Sequence, residues 1–198
     1  MSRKNKKARK GTQGSSEKTE NGKIACRDKL RLAKVKITVV GDSLARGVGH
    51  KLAGQCGRIV DVDARGGAKI EEVASVVKKL DDTERNVVLI AGANNLEGDS
   101  SEDILKQYEQ LLDSAKKPSI KKVVVVGLTK RYDLGQSYER KRILINMRLR
   151  NTCKSRNVEY IEYEPERSRV HKDGLHLNHR GQFELGQQIF KRCIDFLV

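Results

Sequence analysis

The feature that most constrains the fold is a set of β-branched runs almost devoid of polar residues. "NVVLIAG" (86–92) and "KKVVVVG" (121–127) are near-continuous Val, Leu and Ile, and "KVKITVV" (34–40) is similar. A strand wetted on one face alternates apolar and polar side chains, whereas an unbroken run suits a parallel strand covered by helices on both faces. "RIVDVDA" (58–64) and "VEYIEY" (158–163) complete five predicted strands. Helical patterns fill the intervals. "AKIEEVASVVKKL" aligns Ile70, Val73, Val77 and Leu80 along one face. "SSEDILKQYEQLLDSAKK" opens with Ser100 and Asp103 at capping-box spacing and offers Ile104, Tyr108, Leu111 and Leu112 to a core. "YERKRILINMRLRNTCKSR" is read with Ile143, Leu144, Met147 and Leu149 inward. The last helix, from about His179, is read with Phe183, Ile189, Phe190, Ile194 and Leu197 inward. This alternation predicts an α/β protein with an open, doubly wound sheet. Right-handed crossovers give five parallel strands in the order 2-1-3-4-5.

These patterns occupy residues 34–198 of a 198-residue chain and form one predicted domain. Residues 1–33 read as a basic, largely disordered tail. Its first ten residues carry Arg3, Lys4, Lys6, Lys7, Arg9 and Lys10 without one acid. Like charges repel there and nothing apolar offsets the ordering entropy. Lys4, Lys6, Lys7, Arg9 and Lys10 are candidates for anion binding or nuclear targeting, with a solubilising role as the plain alternative. The formal net charge of +15 favours nucleic acid or an anionic membrane surface as partner. Arg167, Arg169, Lys172 and Arg180 add to that excess near the chain end. Trp is absent, which leaves few stacking platforms for bases. The four cysteines form no CxxC, so neither a zinc site nor a disulfide framework is expected. No signal-like or membrane-spanning apolar run is present, so the expectation is an intracellular protein, cytoplasmic or nuclear.

In open α/β sheets ligands collect beyond the carboxyl ends of the strands. There the sequence places Gly41-Asp42-Ser43, Arg65-Gly66-Gly67-Ala68 and Gly92-Ala93-Asn94-Asn95, and ahead of the last helix Asp173-Gly174-Leu175-His176. Ser43 has two readings, a helix N-cap or a nucleophile. A serine nucleophile needs a base, and the base needs a carboxylate to hold its tautomer. Asp173 and His176, three apart across a glycine, have the spacing for that pair. Backbone N–H groups of Ser43 and Gly67 and the Asn94 amide are candidate oxyanion donors. Neither a GxGxxG dinucleotide fingerprint nor a P-loop occurs.

Together these four segments resemble the motif blocks of the GDSL/SGNH hydrolase superfamily, in order, from about residue 35 onward. The resemblance implies a flavodoxin-like three-layer α/β/α sandwich, the SGNH hydrolase fold, and a serine esterase acting on a small acyl or lipid ester without metal or cofactor. It implies Ser43 as nucleophile, His176 as base and Asp173 as its partner, with Ser43, Gly67 and Asn94 forming the oxyanion hole. Gly66 competes with Gly67 for the glycine position. Asn95 stands where the third block usually has Asp, which puts the support of that loop in question. The GxSxG elbow of α/β-hydrolases is absent. The basic composition also resembles the esterase-like domains of first-reading-frame proteins of some non-LTR retrotransposons. That implies the alternative, a nucleic-acid-associated module that keeps the fold with hydrolysis secondary or lost.

Overall fold

The computed structural model describes residues 36–56 and 59–194. The tail and its candidates Lys4, Lys6, Lys7, Arg9 and Lys10 lie outside the described residues. In chain order the elements are β1 (Lys36–Gly41), α1 (Ser43–Cys56), β2 (Val60–Ala64), α2 (Ile70–Lys79), β3 (Arg85–Ile90), α3 (Ser101–Ser114), β4 (Ile120–Val126), α4 (Gln136–Ser155), β5 (Glu159–Ile161) and α5 (His179–Ile194). A short 3-10 turn, Arg167–Arg169, precedes α5. The five strands form one parallel sheet in the order β2-β1-β3-β4-β5.

Alternation along the central strands builds both faces of the core. In β3, Val87 and Leu89 point to one side and Val88 and Ile90 to the other. The first side meets α2, α3 and α4 through Ile70, Val73, Val77, Ile104, Tyr108, Leu111, Ile145 and Leu149. The second meets α1 and α5 through Ala45, Val48, Leu52, Leu185, Ile189 and Cys193. Each fully buried Leu here would cost about 2–5 kcal/mol if cut to Ala. The expected start of α3 is present: the Ser100 hydroxyl accepts the Asp103 backbone N–H at 3.1 Å.

Two helices turn differently from the apolar pattern. In α4, Ile143 and Met147 are more than half exposed, and the inward face is Arg142, Ile145, Asn146, Leu149 and Cys153. Polar residues can take those places because each is satisfied. The Arg142 guanidinium donates to Glu139, Glu164 and the Leu128 carbonyl. Asn146 receives the Leu128 N–H and donates to its carbonyl, both at 2.9 Å. In α5, Phe183 is exposed and Leu185 is buried in its stead. The side chain of Ile194 and residue Leu197 lie outside the described residues.

Gly41 fixes how β1 ends. A Cβ there would lie 1.9 Å from the Ile90 carbonyl oxygen of the neighbouring strand. Only glycine lets the chain turn this tightly against β3 and deliver residues 42 and 43 to the carboxyl edge of the sheet.

Candidate active site

At that edge the β1–α1 junction meets the segment before α5. The Ser43 hydroxyl oxygen lies 3.0 Å from Nε2 of His176, across 133 residues of sequence. Nδ1 of His176 lies 2.8 Å from an Asp173 carboxylate oxygen. The other Asp173 oxygen accepts the backbone N–H groups of Leu175 and His176, at 2.9 and 3.0 Å. The turn thus fixes the carboxylate before the carboxylate fixes the imidazole. These three bonds hold the Asp173 carboxyl down at about 2, the contact with His176 contributing most.

The competing role of Ser43 as N-cap is filled by its neighbour. Helix α1 begins at Ser43, and a carboxylate oxygen of Asp42 accepts the Leu44 N–H at 2.9 Å. Asp42 is therefore the capping residue, and the Ser43 hydroxyl is turned to His176. Sequence reading missed this role, although Asp is among the best N-caps and directly precedes the helix.

Gly67 has φ +75°, in the left-handed region that glycine takes at no steric cost, whereas Gly66 shows no such conformation. The backbone N–H groups of Ser43 and Gly67 meet no protein acceptor among the described residues. The Asn94 amide donates to the Ala68 carbonyl at 3.0 Å, which ties the third loop to the glycine loop and leaves its second N–H for a ligand. Outward from His176 opens a depression of about 600 Å³, lined by His171, Lys172, Asp173, His176 and Gln182.

Asn95 has a full set of partners. It is completely buried, accepts the Ile70 N–H at 3.1 Å, and donates to Asp99 at 2.6 Å and to Gln107 at 2.9 Å. An aspartate would present a second carboxylate to Asp99; the amide donates instead. The amide bonds from Asn95 and Gln107 hold the Asp99 carboxyl below its ordinary range. The loop carrying Asn94 is thereby fastened to the start of α2 and to α3. Another support was not legible in the sequence: the Tyr132 N–H donates to the Gly174 carbonyl at 2.7 Å, bracing the Asp173–His176 turn. Nothing in the pattern of residues 128–135 signals that contact. His50, His171 and His179 are exposed. Among the described residues, no group of three or more His, Cys, Asp or Glu side chains is placed to hold a metal ion, and no helix is long and apolar enough to cross a membrane.

The doubly wound sheet, its strand order and its flanking helices define a fold of the GDSL/SGNH hydrolase type. A GDSL-like lipase from Bacteroides thetaiotaomicron superposes with a TM-score of 0.68 at 13% identity, over 90% of this chain and 98% of its own. A member of the lipolytic G-D-S-L family from Veillonella parvula gives 0.67 at 17% identity, over 80% and 99%. The aryl esterase of M. smegmatis gives 0.65 at 14% identity, over 83% and 100%. No protein-family model matches the chain, and none of the curated proteins does. At such identities the likeness is one of fold.

Proposed function

We propose that this protein is a serine ester hydrolase acting on small acyl or lipid esters through Ser43, His176 and Asp173. The observation that carries the reading is the linear relay from the Ser43 hydroxyl to His176 at 3.0 Å and on to Asp173 at 2.8 Å. A hydroxyl is a poor nucleophile until a base removes its proton during attack. Here Nε2 takes that proton as the Ser43 oxygen bonds to the ester carbonyl carbon. The Asp173 carboxylate, ionised at any working pH, holds Nδ1–H and stabilises the imidazolium. Negative charge develops on the former carbonyl oxygen, for which the Ser43 and Gly67 N–H groups and the second N–H of Asn94 are the candidate donors. The amino end of α1 adds its dipole to the same charge. Collapse breaks the bond to the alcohol oxygen, which receives the proton back from Nε2. Water then attacks the acyl-serine by the same base and regenerates Ser43. The open rim around His176 favours a small ester, or one presented at a surface.

The test is labelling with a fluorophosphonate together with hydrolysis of p-nitrophenyl acetate. Wild-type protein is expected to label at Ser43 and turn over. Ser43→Ala is expected to do neither while melting within a few degrees of wild type. A folded Ser43→Ala variant with full turnover would refute the proposal.

A further inference from the structure

Arg167 opens the 3-10 turn before α5, and among the described residues it forms no ion pair. Its guanidinium donates to backbone carbonyls instead. Nη1 donates to Val170 at 3.2 Å and to His171 at 2.7 Å, and Nη2 donates to Lys172 at 3.3 Å. These three consecutive carbonyls belong to the segment that leads straight into Asp173. The guanidinium carbon also lies 5.5 Å from the centre of the Tyr132 ring, a cation–π distance. Tyr132 is held in turn, its hydroxyl donating to the Pro165 carbonyl at 2.8 Å. Its N–H is the one that meets Gly174 at 2.7 Å. Arg167 and Tyr132 together grip the loop on both sides of Asp173.

The position of that loop matters more than its exposure suggests. His171, Lys172 and Asp173 are exposed, between the buried Val170 and Leu177. Internal bonds close the turn on itself. The His171 N–H donates to the His176 carbonyl at 2.8 Å, and the Gly174 N–H to that of His171 at 3.1 Å. Those bonds join Asp173 to His176 but do not place the pair relative to Ser43. Among the hydrogen bonds of the described residues, the Arg167 fork alone ties His171 and Lys172 outward.

We infer that Arg167 is a positioning residue, gripping the carbonyls of residues 170–172 beside Tyr132 and so setting where the Asp173–His176 pair stands opposite Ser43. The inference rests on the proposed triad chemistry. The contact of 3.0 Å between Ser43 and His176 tolerates little drift. A displacement of about 1 Å in a reacting group can lower the rate by up to about 100-fold. Arginine suits the task. Its planar fork presents several N–H groups in fixed directions, whereas a lysine ammonium is one point on a flexible stem. Three acceptors in a row match the fork, and no carboxylate competes for it.

Two variants of the full chain test this. Arg167→Lys keeps the charge and removes the fork, and Arg167→Met keeps most of the stem and removes both. Each replaces an exposed side chain, so the fold should survive. In hydrolysis of p-nitrophenyl acetate, kcat should fall about 10-fold in both variants, with KM changed by less than about 2-fold. Hydrogen exchange read by mass spectrometry should rise across residues 170–177 while β1, β3 and β4 exchange as in wild type. A role in folding alone gives the opposite pattern, with exchange rising throughout the sheet and kcat per folded molecule unchanged, and that result overturns the inference. Full kcat in Arg167→Lys also overturns it, because the charge alone would then suffice. Should Arg167→Met not fold, Arg167→Lys decides; failure of both to fold makes Arg167 a folding residue and overturns the inference too. Fluorophosphonate labelling of wild-type Ser43 separates the two levels. Unlabelled Ser43 refutes the proposed reaction and this role with it. Labelled Ser43 with kcat and exchange unmoved in the variants refutes only the role of Arg167.

Discussion

Replacing Asp42 by Asn should make the domain more stable in mildly alkaline solution, the opposite of what removing a buried polar partner usually does. Asp42 is 2% exposed and its carboxyl is raised by burial from 3.8 to about 6. At about 1.4 kcal/mol per pH unit, holding it ionised at pH 8 costs the fold about 3 kcal/mol. Asparagine has the same shape and keeps an acceptor for Leu44, but loses the extra strength of a charged acceptor, about 1 kcal/mol. The net gain is about 1–3 kcal/mol, or about 3–8 °C in Tm for a domain of this size. The sign with pH follows from the raised folded-state value. Protonated Asp42 is tolerated in the fold, so the wild-type deficit is full above pH 6, shrinks as pH falls through 6, and is gone below about 4, where the unfolded chain is protonated too. Calorimetric melts of both proteins at pH 8, 6 and 4 measure the gap directly. A lower Tm for Asp42→Asn at pH 8, or a gap that persists at pH 4, would refute the reasoning.

Further expectations concern the rest of the site and the charge of the chain. Asp173→Asn should lower kcat by about 10²–10⁴ with the fold retained, because the imidazole loses its orienting anion; steady-state kinetics beside a thermal melt decide it. Asn94→Ala should cut kcat by roughly 10²–10³ if its second N–H meets the oxyanion, and an unchanged kcat removes it from that role. Asn95→Asp should destabilise the protein by about 2–3 kcal/mol at pH 8 by setting two carboxylates together with Asp99, and the loss should shrink in acid as they come to share a proton; melts across pH follow it. The full chain, with formal net charge +15, should bind polyanions such as single-stranded RNA with an affinity that falls steeply with salt. Removing residues 1–33 should flatten that slope, and a salt-independent affinity measured by fluorescence anisotropy would count against this.

The sheet was legible because strands buried on both faces have little freedom of composition: runs such as "VVLI" fit few other places. The strand order agrees with the one expected from alternation and right-handed crossovers. The orientation of α4 was not legible, since an apolar count puts Ile143 and Met147 inward. The geometry puts Arg142 and Asn146 there, matched by partners as remote as Glu164 and the Leu128 backbone. Hydrogen-bond satisfaction across loops leaves no periodic trace. The same holds for the site. Asp173 and His176 stand out because a three-residue offset suits a carboxylate paired with an imidazole, and Ser43 joins them through the resemblance of the four segments to the GDSL/SGNH motif blocks. Asn95, unexpected at its position, makes sense only once Asp99 and Gln107 are seen around it. Asp42 was hidden by standing next to the residue that attracts attention.

The 133 residues between Ser43 and His176 carry a consequence for biosynthesis. The proposed nucleophile belongs to the first helix of the fold and the proposed base to the segment just before the last. A chain emerging from the ribosome can pair β1 with β2 and β3 and settle α1 on them well before the base exists outside the exit tunnel. During that interval Ser43 is a plain hydroxyl on a partly covered sheet, unable to acylate. On the proposed chemistry, competence waits for the Asp173–His176 turn to seat against Tyr132 and for α5 to close over α1. Hydrolytic activity in a synthesis reaction should therefore report completion of the last packing layer, lagging behind any probe of the central sheet.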